Sequence, residues 1–145
     1  MTFNNVTHTS ASITTTLYAT SAVTFAVAGN LIIAGGTIDT QSGVLNAVTF
    51  NVTGTSSVTG TLTLDASAAT FTGAVTINSG GTIGKNSGTG TLTFSAACTV
   101  TGTLSLTGAG MSVVGNSSAG IVGAGIITMT GAAGNSIAVT GTLGV

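Results

Sequence analysis

Val58-Thr59-Gly60-Thr61-Leu62-Thr63-Leu64 is the stretch whose reading decides the fold. Hydroxyl and apolar side chains alternate from Thr61 to Leu64, the pattern of a strand with one buried face. A glycine stands directly before them, where a chain can turn. The phrase Val-Thr-Gly-Thr-Leu recurs from Val100 to Leu104 and from Val139 to Leu143, with looser versions at Gly36-Thr37-Ile38 and Gly81-Thr82-Ile83. A chain that repeats one phrase repeats one structural unit.

A second marker keeps step with the first. A Thr-Phe pair occurs at Thr24-Phe25, Thr49-Phe50, Thr70-Phe71 and Thr93-Phe94, so the phenylalanines lie 25, 21 and 23 residues apart. The pattern blurs between Met111 and Ile137, where Val113-Val114 and Ile126-Ile127-Thr128-Met129 take the same places. Thr, Val and Ile suit strands better than helices, and no window has a helical period. The expected fold is all-β: a single parallel β-solenoid of about six to seven coils with a repeat of roughly 21–25 residues. Strands stacked at about 4.8 Å would make a rod on the order of 30 Å tall. Residues 1–21 read as an N-terminal strand or edge segment, and 22–145 as the solenoid repeats. An antiparallel sandwich also has short strands and frequent turns, but it has no reason to repeat one phrase three times.

Composition narrows the function classes. Charged residues are 2% of the 145, and they are Asp39, Asp65 and Lys85; His8 is the single imidazole. Ordinary domains carry about 25% charge. A net charge of -1 with one cation excludes phosphate recognition, so no nucleic-acid partner is expected, nor an anionic membrane surface. The most apolar window, 22–38, is too short for a spanning helix and is broken by Asn30 and Gly35-Gly36. Aromatics, at 4%, are too sparse for the girdles of a membrane barrel. Membrane insertion is therefore not expected. Disorder requires low hydrophobicity and high net charge, whereas 43% of this chain is hydrophobic. The absence of proline fits a chain in which nearly every segment hydrogen-bonds on both sides. Met1-Thr-Phe-Asn-Asn lacks the basic start of a signal peptide.

Few residues invite chemistry. Asp39 lies 14 residues past Phe25, Asp65 lies 15 past Phe50, and Lys85 lies 14 past Phe71. That common phase predicts one solvated outer corner in which the three charges stack as a register mark. Two carboxylates fall short of the six or more oxygens a hard cation wants, so no metal is assigned. Cys98 sits four past Phe94, as Val75 sits four past Phe71, which places Cys98 in a core column as a small hydrophobe. His8 reads as an end-of-rod or interface residue, because one His and two Asp do not make a triad by spacing alone. No enzymatic activity, catalytic residue or cofactor is expected. The residues singled out, Phe25, Phe50, Phe71, Phe94, Asp39, Asp65, Lys85 and Cys98, are structural.

Stacked coils leave unpaired backbone at both ends, which repeat proteins normally cap. Here the last element is an alternating strand in mid-phrase, and the Thr-rich start shows no amphipathic helix. With a mean hydropathy of +0.70, self-association end to end or side by side is the expectation, and a head-to-tail contact that does not close gives a filament. The phrases Val-Thr-Gly-Thr-Leu, Gly-Gly-Thr-Ile and Thr-Leu-Thr-Phe resemble the degenerate repeats of secreted β-helical surface proteins. Autotransporter passengers, filamentous-haemagglutinin-type adhesins and some phage fibres are similar in style. The resemblance runs from about Ala22 to Val145 and implies a surface or fibre role. The expected function is a structural subunit of an extracellular or virion-associated filament whose partner is itself. The alternatives are an adhesin or receptor-binding fibre, or an ice-binding face built from Thr61/Thr63, Thr91/Thr93, Thr101/Thr103 and Thr140/Thr142.

Overall fold

A computed structural model describes residues 1–19, 21–40, 48–65, 68–86, 90–108, 112–118, 120–130 and 134–145. The first coil carries β1 (Thr2–Phe3), β2 (Val6–His8) and β3 (Thr14–Thr16). The second carries β4 (Val23–Val27), β5 (Leu31–Ile33) and β6 (Thr37–Thr40), and the third β7 (Val48–Val52), β8 (Ser56–Val58) and β9 (Thr61–Leu64). The fourth has β10 (Ala69–Phe71), β11 (Val75–Ile77) and β12 (Thr82–Lys85); the fifth has β13 (Thr91–Phe94), β14 (Cys98–Val100) and β15 (Thr103–Leu106). The sixth holds β16 (Ser112–Gly115), β17 (Ile121–Val122) and β18 (Ile126–Met129), and β19 (Ser136–Val139) and β20 (Leu143–Gly144) begin a seventh.

Each strand pairs in parallel with its counterpart one coil away. The first sheet runs β1-β4-β7-β10-β13-β16-β19, the second β2-β5-β8-β11-β14-β17-β20, and the third β3-β6-β9-β12-β15-β18. The fold is therefore the parallel β-solenoid that the repeat predicts, with three strands per coil. Every strand from β4 through β17 has a parallel neighbour on both sides. No described strand pair is antiparallel, which rules out the sandwich. The strands of the first coil, β1 to β3, lie between Thr2 and Thr16.

Alternation explains the interior. In β9, β13 and β15 each apolar residue is buried and each hydroxyl is half-exposed. The core is one continuous column set running from Phe25 to Ile121. Removing such side chains from water is worth about 1.5–3 kcal/mol each. Phenylalanine rings pile along the first sheet. Phe25 and Phe50 are stacked at 5.3 Å, Phe50 and Phe71 are tilted at 6.2 Å, and Phe71 and Phe94 are stacked at 5.6 Å. Phe3 extends the pile at 4.9 Å from Phe25.

The pile slips by two residues at two steps: Phe3 is opposite Val27 instead of Phe25, and a second slip falls between Phe50 and Phe71. Phe50 is opposite Phe25, yet the next coil places Ala69 opposite Phe50 and Phe71 opposite Val52. The short interval of 21 residues between Phe50 and Phe71 is thus a two-residue shift of phase, and it accounts for the tilted, wider contact at that step.

Corner lengths explain how later strands recover register. In the second to fifth coils the first corner, at 28–30, 53–55, 72–74 and 95–97, is three residues each time. The second corner, at 34–36, 59–60, 78–81, 101–102 and 123–125, has three, two, four, two and three residues. Its last residue is glycine in each of these five coils: Gly36, Gly60, Gly81, Gly102 and Gly125. A Cβ on Gly60 would lie 2.6 Å from Gly36 O, and one on Gly102 would strike Gly81 O. Those carbonyls face upward because they accept the next coil's amides: Thr61 N to Gly36 O at 2.8 Å, Thr82 N to Gly60 O at 2.9 Å, Thr103 N to Gly81 O at 2.9 Å. The Gly-Thr phrase is a steric requirement of stacking.

Candidate functional site

The charges occupy the end of the third sheet, in an arrangement that differs from the expected one. Ladder register places Asp39 opposite Thr63, and Gly84 is opposite Thr63 on the other side. Lys85 lies opposite Leu106, one position further on, at the phase of Leu64 and Thr40. The three charges therefore do not share an outer column. Lys85 is only 1% exposed and points inward between Leu64 and Leu106. Distance from a phenylalanine does not fix its phase, because the second corner differs in length from coil to coil.

Polar groups around Lys85 join successive rungs. Thr40 Oγ1 donates to Thr63 O at 3.3 Å and accepts from Asp65 N at 3.3 Å. Lys85 Nζ donates to Asp65 O at 2.6 Å. Burial pushes the Lys85 ammonium down to about 8, against the opposing pull of the Asp65 carboxylate. Burial, and then the like charge of Asp65, raises Asp39 above its ordinary value. Asp39 Oδ1 is enclosed without a hydrogen-bond partner among the described residues. These hydrogen bonds fasten three coils at this corner.

Cys98 is opposite Val75 and Ile121 in the second sheet and is fully buried. Burial raises its thiol to about 12, so no thiolate nucleophile is present near neutral pH. Ser56 stands in the same column, between Leu31 and Val75, with its hydroxyl buried and unpartnered among the described residues. Among the described residues, no three His, Cys, Asp or Glu side chains gather where a metal ion would need them.

The four Thr-x-Thr pairs do not form one face. Thr61 and Thr63 lie on the third sheet and Thr91 and Thr93 on the first. Thr101 is at a corner, as are Thr140 and Thr142. Instead the third sheet carries a ladder that the pairs did not reveal: Thr14, Thr37, Thr61, Thr82 and Thr103, each opposite the next.

The end rungs are open. β1, β2 and β3 pair on one side only, as do β18, β19 and β20. Apolar side chains stand uncovered there, with Phe3 37%, Leu143 51% and Ile126 61% exposed. Among the described residues there is no helix over either rung. Beside the first rung lies an apolar groove of about 290 Å³ lined by Met1, Leu17, Val23, Phe25 and Val48, among others. It exists because β1 covers only Ala26 and Val27 of the five-residue β4.

His8 belongs to this first rung. It sits opposite Ile33 on the inward phase of β2, half-buried, with Nδ1 2.8 Å from Gly35 O. A carbonyl only accepts, so Nδ1 carries the proton in that contact. Comparison of the chain with protein-family models, curated proteins and solved structures finds no match.

Proposed function

We propose that this chain is a structural subunit of an extracellular or virion-associated filament, assembled by pairing the open rungs of successive copies. The observation that carries the reading is the continuity of the columns. One runs Phe3-Val27-Val52-Phe71-Phe94-Gly115-Val139, and another runs Val6-Leu31-Ser56-Val75-Cys98-Ile121-Leu143. A second copy laid on in register brings Val139 over Phe3 and Leu143 over Val6, apolar on apolar. The same step gives β1 and β2 the amide partners they lack on their outer side. Open edges of this kind template pairing with another chain, and a chain with three charged side chains offers little repulsion to resist it. Negative-stain microscopy of the purified 145-residue chain at pH 8 tests this: filaments one rod wide are expected, and monomers that persist at high concentration would refute it.

A second reading, binding to ice or another crystal surface, is favoured by the Thr14-Thr37-Thr61-Thr82-Thr103 ladder. Its hydroxyls and methyls repeat at about 4.8 Å along the rod. Thermal hysteresis in solution supports it, and ordinary freezing behaviour removes it.

A further inference from the structure

We infer that each junction between stacked copies takes up one extended strand of a second polypeptide, in a vacancy of the third sheet. The inference rests on the proposed in-register stacking and adds a partner to it. Among the described residues, the first and second sheets have seven strands each and the third has six. Laying β1 on β19 and β2 on β20 therefore leaves β18 of one copy and β3 of the next facing each other with one rung missing between them. Neighbouring strands lie about 4.8 Å apart, so these two edges stand about 9.6 Å apart, which is room for a single strand.

Both walls of this slot follow from the ladder. Ile126 N donates to Gly102 O and Thr130 N to Leu106 O, so the alternate residues of β18, Ile127 and Met129, turn their amides and carbonyls to the open side. In β3 the opposite phase is free: Thr37 N donates to Ile13 O and Leu17 N to Asp39 O, which leaves the backbone of Thr14 and Thr16 facing the slot. An inserted strand pairs with both walls at once. Its inward side chains meet Ile127 and Met129, which continue the apolar columns of Leu104 and Leu106, and on the other side they meet Thr15 and the half-buried Leu17. Neither β18 nor β3 carries a charged side chain, and an inward charge would lose its hydration there without gaining a partner. The occupant is therefore an extended segment in which apolar side chains alternate with Thr or Ser, held mainly by its backbone. β15, Thr103-Leu104-Ser105-Leu106, is a segment of this kind: it already pairs with the other edge of β18, with Leu104 opposite Ile127 and Leu106 opposite Met129.

The test co-pellets filaments of the 145-residue chain with a fluorescent peptide copying Val100 to Leu106, with lysines added outside the strand for solubility. Binding is expected to saturate at about one peptide per subunit, the ratio a single slot per junction gives. The free subunit below its critical concentration offers only one wall, so its dissociation constant is expected to be about tenfold or more higher. A peptide of the same composition with its two leucines adjacent should not bind. Thr16→Pro and Met129→Pro each remove an amide that faces the slot and none that the rod's own ladder uses. Filaments of either variant, assembled through β1, β2, β19 and β20, should bind the peptide about tenfold or more weakly. Filaments that form but take up no peptide, bind the rearranged peptide equally, or keep full affinity in both variants overturn the inference while the stacking reading stands. Absence of filaments overturns the stacking reading and the inference together.

Discussion

Lys85 shows how a single side chain acts against its surroundings. Its ammonium is enclosed between Leu64 and Leu106 and held by Asp65 O at 2.6 Å. Because burial lowers its proton affinity to about 8 from an ordinary 10.5, the unfolded chain binds this proton more tightly than the folded one. Stability therefore rises as pH climbs from about 8 to about 10.5 and the lysine empties. Lys85→Met should stabilise the rod near pH 7 by about 1–2 kcal/mol, the desolvation removed exceeding the hydrogen bond lost. That advantage should shrink toward pH 10.5. Urea denaturation of both proteins at the two pH values checks this, and an advantage independent of pH contradicts it. Ser56 offers a simpler case: its hydroxyl is buried without a partner among the described residues. Ser56→Ala should raise stability by about 1 kcal/mol, read from the same denaturation midpoint. A fall of that size would mean that the hydroxyl has a partner.

Elements are governed by the corner glycines. Gly102→Ala pushes a methyl into Gly81 O and Asn78 O, both backbone and unable to move without breaking the ladder. A loss of about 2 kcal/mol or more is expected. Gly84→Ala is the control, since the nearest atom to its Cβ, Asn86 Oδ1, is 3.4 Å away. It should be neutral or gain about 0.5 kcal/mol. Thermal melts of the two separate steric demand from simple backbone entropy, and equal losses would contradict the stacking geometry. At this scale the sequence was readable. The Gly-Thr-apolar phrase marks the second corner because the sterics demand glycine there and the amide ladder follows it. Phenylalanine spacing is a poor ruler for this chain. Phenylalanines fill whichever inward position suits the column, so Phe71 could slip by two residues while the four-residue corner at 78–81 restored the third sheet. Aligning Gly81-Thr82-Ile83-Gly84-Lys85 with Gly60-Thr61-Leu62-Thr63-Leu64 would have put Lys85 in the interior from sequence alone. Nothing in the sequence marks the loss of hydrogen bonding at Ser56, because a serine at an inward phase looks like any other member of a hydroxyl-rich strand.

For the whole molecule, the same ladder that builds the rod leaves it unfinished. Interior coils bury Phe50, Phe71 and Phe94 completely, while β3 and β20 are exposed throughout. Each rung is stabilised by its neighbours, as in other one-dimensional repeats, so the outer rungs gain most from another copy. The central claim is that coils stack along one axis and that copies prolong that axis. X-ray diffraction from oriented filaments tests both parts at once. Strands spaced by about 4.8 Å along the rod predict a reflection at that spacing parallel to the filament axis. The same reflection perpendicular to the filament axis would show rods lying side by side across it, and would contradict the account.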